Sequence, residues 1–138
     1  MADDTFRSVR VERVGDGRYV AHNASGATLP IGGEDFTPVE LLLAAIGSCT
    51  ATDADAAISR RVEPETFTVT VAGDKVQDES GNRMENLVVT FRVELPEGPE
   101  GDRARAVLPR AVRLSHERLC TVSRTVELGT PVKTVLED

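Results

Sequence analysis

A chain of 138 residues has the length of one domain with a single sizeable core. Hydrophobic residues make up 40%, charged residues 28% and aromatics only 4%, with no Trp; this is a globular composition built on Val, Leu and Ala, which excludes collagen-like, disordered and membrane classes. Lys and Arg number 16 against 23 Asp and Glu, so the net charge of −7 excludes an electrostatic footprint for nucleic acid or for anionic membranes.

The acidic start, Met1-Ala2-Asp3-Asp4, lacks the basic and apolar regions of a signal peptide, and the apolar run Leu41 to Ile46 is too short to span a bilayer. Two cysteines far apart in the chain do not form the disulfide framework of a small secreted domain, and a cytoplasmic location is expected. The sequence lacks internal repeats and linkers, which predicts one domain over residues 1–138.

Phe6, Val9, Val11 and Val14 predict a first strand, Gly15-Asp16-Gly17 a turn, and Arg18 to Asn23 a second strand. Ser25-Gly26 turns into a third strand around Thr28 to Ile31. Thr37-Pro38-Val39-Glu40 has a capping residue, Pro at the first helical position and Glu three residues after the cap, predicting a helix to about Arg60. Its first half is apolar on every side, as in a helix buried within a domain or between subunits.

Thr66 to Val71 alternates with β-branched residues, with a possible extension to Val76, and Leu87, Val89, Phe91, Val93 and Leu95 form its hairpin partner. Ala104, Val107, Leu108, Ala111, Val112 and Leu119 recur at helical spacing, and Pro109 is expected to kink or divide that helix. Gly129 closes a last short helical segment, and Val132 to Leu136 is predicted as a terminal strand. The order βββ-α-ββ-α-β is α+β.

Cys49 lies mid-helix, with Ile46, Ala45 and Leu42 on its own face, so its thiol is expected to be shielded from bulk water; a small core hydrophobe is the plain alternative to a reactive thiol. Cys120 sits near a helix end among charges, where a thiolate is favoured. His116 precedes Cys120 by four residues and could favour a thiolate or a metal, although no second metal-ligand pair supports a site. Asp53, four after Cys49, is either an acceptor behind that thiol or a polar residue near a helix end. No P-loop or dinucleotide fingerprint is present.

Two segments together, Phe36-Thr37-Pro38-Val39-Glu40-Leu41-Leu42-Leu43-Ala44-Ala45-Ile46-Gly47-Ser48-Cys49-Thr50 and Leu114-Ser115-His116-Glu117-Arg118-Leu119-Cys120-Thr121-Val122-Ser123, resemble the OsmC/Ohr family of hydroperoxide-reducing proteins. The resemblance implies an intertwined homodimer in which antiparallel sheets wrap two long central helices, with sites at the subunit interface. It implies that Cys49 is peroxidatic and Cys120 resolving, in a sulfenate and disulfide cycle on organic hydroperoxides, without metal or organic cofactor. A small dithiol or lipoyl-type reductant would close the cycle.

A buried Cys49 needs a cation nearby to ionise. The family uses an Arg from the N-terminal strands held by a Glu near the start of the long helix; Arg18 is the candidate here, with Arg13 and Arg10 as alternatives. The family's acidic residue lies ten positions before the cysteine, where this chain has Val39. Glu40, nine before, points to the opposite helix face from Cys49 and lies about 13 Å away along the axis. Glu40 therefore serves a site in a partner subunit or only completes the capping box. The rival expectations are a binding protein of the same fold, with an apolar cleft for a small hydrophobic ligand and thiols as redox sensors, and a purely structural dimer.

Overall fold

The computed structural model describes residues 5–137; the acidic start at residues 1–4 lies outside them. The chain forms two compact units, one running through Leu42 and the other from Leu43 onward.

In the first unit β1 (Arg10–Gly15), β2 (Arg18–His22) and β3 (Thr28–Gly32) form an antiparallel sheet in that order. Asp16-Gly17 closes the first hairpin, with Gly17 at φ 67°, a left-handed conformation that glycine adopts without steric cost. The first strand is shorter than its apolar spacing predicts: Phe6 and Val9 precede β1 and are exposed. Ile31 is the buried anchor, and Gly32 donates its N–H to the Phe36 carbonyl at 2.9 Å, turning the chain toward the helix.

Helix α1 (Pro38–Ser59) starts on the predicted reciprocal cap. Thr37 N–H donates to Glu40 Oε1 at 2.9 Å, and Glu40 N–H donates to Thr37 Oγ1 at 3.2 Å. Its 22 residues and mean hydropathy of 1.3 would suffice to cross a membrane, but it also carries Glu40, Asp53 and Asp55. Ile46, Gly47, Thr50, Ala54 and Ile58 supply its buried stripe.

In the second unit, from Leu43 on, β4 (Thr66–Asp78) and β5 (Gly81–Glu94) form one long antiparallel hairpin. Alternation puts Phe67, Val69, Val71, Leu87, Val89, Phe91 and Val93 on its half-buried face, where Phe67 and Phe91 meet edge to face with centroids 6.2 Å apart. Gly47 brings the α1 backbone directly onto this face: a Cβ there would lie 2.9 Å from Val71 Cγ2.

Helix α2 (Pro99–Leu114) continues through Pro109, so of the expected kink or division the division does not occur. Pro109 is exposed, so water can satisfy the carbonyl that loses its helical partner. The regular helix instead ends in a π-helical turn, Ser115–Leu119, followed by α3 (Thr121–Glu127) and the stop at Gly129, φ 65°. Val132 to Leu136 forms no strand. Among the described residues no strand pairs with this segment to supply ladder hydrogen bonds, and Val132 and Leu136 are 90% and 94% exposed. The fold is α+β, with three helices and two antiparallel sheets among the described residues.

Close approach at Gly47 makes a specific demand on stability. Gly47→Val is expected to cost about 1–3 kcal/mol through overpacking against Val71 and Val69. A urea titration that leaves the midpoint unchanged would show that helix and hairpin can separate at this point without cost.

Candidate functional site

Cys49 lies in the middle of α1, and Cys120 occupies the joint between the π turn and α3. At φ −72° and ψ 98°, Cys120 leaves helical geometry and becomes the N-cap of α3. Its sulfur accepts the Ser123 N–H at 3.4 Å, the part an oxygen usually plays.

The π turn is closed by Cys120 N–H donating to the Ser115 carbonyl at 2.8 Å, five residues back. Ser115 is fully buried and donates its hydroxyl to Asp53 Oδ2 at 2.6 Å. Asp53 is one turn beyond Cys49 on the same helix face, so this bond ties the segment bearing Cys120 to the helix bearing Cys49. Both cysteines are free thiols, Cys49 half-buried and Cys120 fully buried, near enough for each to shift the other's ionisation, and Thr50, the residue after Cys49, reaches the Cys120 sulfur at 3.5 Å.

Around the Cys120 sulfur stand Ser123 Oγ at 3.3 Å and Thr50 Oγ1 at 3.5 Å. Thr50 Oγ1 also reaches the Ile46 carbonyl at 2.9 Å. With one hydroxyl proton, Thr50 either holds that carbonyl and accepts from the thiol or turns to stabilise a thiolate.

The two thiols are shifted in opposite directions. Burial pushes Cys49 above its ordinary value; the Val122 N–H opposes this, the adjacent Cys120 sulfur adds to it, and the Thr121 N–H opposes it weakly. Burial also acts to raise Cys120, but the Ser123 hydroxyl, the Thr50 hydroxyl, the Ser123 N–H and the Cys49 thiol together outweigh it and hold Cys120 below an ordinary thiol. The buried partner is thus the better supported anion, and the more accessible one needs added positive charge to ionise at neutral pH.

A cleft of about 130 Å³ is lined by Ile46, one turn before Cys49, by Ser123, whose hydroxyl meets the Cys120 sulfur, and by Leu87, Val89, Val126, His116 and Glu127; neither cysteine lines it. His116 Nε2 stands 3.8 Å from Glu127 Oε2, and both are solvent-accessible. Among the described residues no three His, Cys, Asp or Glu side chains gather as metal ligands would.

The four candidates divide by unit. Cys49 and Cys120 are brought together in the second; Arg18 and Glu40 belong to the first. Arg18 opens β2, exposed, with its aliphatic stem over Gly15 and Gly33. Glu40 is engaged in the helix cap. Of the alternatives, Arg10 stands 3.6 Å from Glu12 in an exposed pair, and Arg13 is exposed on β1 opposite Tyr19. Sequence reasoning missed Thr50 and Ser123 as groups beside the Cys120 sulfur and Ser115 as the tie to Asp53. Only Ser123 carried a signal, the three-residue spacing of a capping interaction after Cys120.

The OsmC-like protein family matches residues 31–135. This chain belongs to that family. The uncharacterized protein Rv2923c of Mycobacterium tuberculosis is 32% identical over 134 residues, covering 93% of this chain and 94% of that protein. A hypothetical protein of Aquifex aeolicus shares the fold with a TM-score of 0.72 at 23% identity, over 91% of this chain and 89% of that one. The organic hydroperoxide resistance protein OhrB of Bacillus subtilis does so with a TM-score of 0.57 at 16% identity, over 88% and 90%. At these identities the two structures establish shared architecture.

The coupling of the two sulfurs has a measurable sign. Because the Cys120 sulfur raises Cys49, Cys120→Ala is expected to shift the pH midpoint of Cys49 alkylation by iodoacetamide downward. A midpoint that stays or rises would show that the sulfurs share no charge.

Proposed function

We propose that this OsmC-like chain is a thiol-dependent peroxidase that reduces organic hydroperoxides to alcohols. The observation that carries the reading is the proximity of a half-buried thiol and a fully buried one, each shifting the other's ionisation, with Thr50 beside Cys49 bonded to the Cys120 sulfur and a largely apolar cleft reaching Ile46 and Ser123. Exposure supports the roles proposed for them, Cys49 peroxidatic and Cys120 resolving: Cys49 is half-buried and open to a peroxide, whereas Cys120, fully covered, is suited to act on a neighbouring sulfur.

The Cys49 thiolate attacks one peroxide oxygen, the O–O bond breaks, and the alkoxide leaves as alcohol after taking a proton from solvent. Cys49 is then a sulfenic acid. Cys120 attacks it, forming the disulfide and releasing water, and a small dithiol or lipoyl-type reductant restores both thiols. Apolar cleft residues favour an organic peroxide over hydrogen peroxide.

Arg18 is proposed as the cation that offsets the raised Cys49, and Glu40 as its carboxylate partner from a second copy in addition to its capping bond. The functional unit proposed is one OsmC-like domain over residues 1–138, working as a cytoplasmic homodimer. Exposed apolar surface supports the dimer: Val39, Val132, Val135 and Leu136 are uncovered in a single chain.

The deciding experiment is hydroperoxide consumption with a dithiol, comparing the parent with Cys49→Ser. Cumene hydroperoxide is expected to turn over faster than hydrogen peroxide, with activity abolished in Cys49→Ser and reduced roughly tenfold or more in Arg18→Ala. A parent no faster than dithiol alone would refute the peroxidase. Light scattering supplies a separate check: a native mass of twice 14.9 kDa is expected, and a monomer would remove the partner role of Glu40.

A further inference from the structure

The resolving step poses a proton problem that the peroxide step does not. Cys120 must lose its thiol proton to attack the oxidised sulfur of Cys49, yet it has no exposed surface. Its side-chain neighbours are Thr50, Ser123 and Cys49. Thr50 is a closed route: it is 5% exposed, and its second contact is the Ile46 carbonyl of its own helix, which cannot take up a proton. Cys49 is the sulfur under attack.

Ser123 is the remaining route and an open one. Its Oγ stands 3.3 Å from the Cys120 sulfur, and the same residue lines the cleft with His116 and Glu127, a volume of about 130 Å³ with room for several waters. Its backbone N–H is already committed to the Cys120 sulfur as the cap of α3, which leaves the hydroxyl free of a structural duty in that cap.

We propose that Ser123 is a catalytic residue of disulfide formation, its hydroxyl accepting the Cys120 proton while passing its own to water in the cleft. The inference rests on the two-thiol reading above and adds a residue to it. In the cycle, the S–H bond of Cys120 and the S–O bond of the Cys49 sulfenic acid break and the S–S bond forms. The Cys120 sulfur is oxidised, the Cys49 sulfur is reduced, and the relayed proton leaves with the hydroxyl as water.

An assay that needs no peroxide isolates this step. Treating the reduced protein with dithiobis(nitrobenzoate) places a thionitrobenzoate on the accessible Cys49 and releases one thionitrobenzoate anion. Attack by Cys120 on that mixed disulfide then releases a second anion and one proton. Ser123→Ala, which keeps the backbone N–H, is expected to leave the first phase unchanged and slow the second roughly tenfold or more. Ser123→Thr, which keeps a hydroxyl, is expected to recover most of the rate. A second phase that runs at parental rate in Ser123→Ala, one equally slow in both variants, or one absent from the parent would each overturn the relay. If the parent fails to consume hydroperoxide while the second phase still depends on the hydroxyl, the peroxidase reading falls and the relay stands. If turnover holds and the second phase ignores the hydroxyl, the relay alone falls.

Discussion

A short hydrogen bond, 2.6 Å from the buried Ser115 hydroxyl to the Asp53 carboxylate, ties the two cysteine-bearing segments together, with the longer Thr50 to Cys120 contact beside it. Bonds to charged groups of this kind are worth about 1.5–3 kcal/mol, and their loss inside a protein costs more because the carboxylate is left without its donor. Its position matters as much as its strength. Asp53 is one turn from Cys49 on α1, and Ser115 begins the π turn whose closing bond is made by the Cys120 N–H. Displacement at either end of this link therefore moves one sulfur relative to the other. The π turn adds a residue to the helical repeat and sets Cys120 as the cap of α3, so that its sulfur faces Thr50 and Ser123.

Gly47 extends the same constraint to the hairpin. By lacking a side chain it lets α1 rest on Val69 and Val71, two residues before Cys49, while Thr50 turns inward to the Cys120 sulfur. The sequence Gly47-Ser48-Cys49-Thr50 thus serves two neighbours within one turn of helix: hairpin on one side, second cysteine on another. Small residues are required here because the backbone itself makes the contact.

The legible parts of the fold were those written in short-range chemistry. Thr37, Pro38 and Glu40 announce the start of α1, and the alternation from Leu87 to Val93 announces β5, because capping and pleating depend on residues adjacent in the chain. The cysteine segments were legible through family resemblance. Their union through Asp53 and Ser115 was not, since a bond between residues 62 positions apart leaves no periodic trace. Pro109 misled for a related reason: its cost depends on whether water reaches the carbonyl it orphans, which exposure decides and sequence does not. Val132 to Leu136 alternates like a strand, yet alternation states only that one face wants cover; a strand also needs an edge to pair with.

The opposite shifts of the two thiols bear on the order of events in the proposed cycle. In the reduced pair a negative charge is better supported at Cys120, beside the Ser123 and Thr50 hydroxyls and the Ser123 N–H, than at Cys49, which burial and the Cys120 sulfur push upward. A cation near Cys49, the part proposed for Arg18, would favour the peroxide step by offsetting that upward shift. Oxidation of Cys49 removes this competition, because a neutral sulfenic acid no longer contends with Cys120 for the anion. The groups that stabilise the Cys120 thiolate then favour the attack that follows. In the proposed cycle, the arrangement that disfavours ionisation of Cys49 in the first step is the one that assists attack by Cys120 in the second.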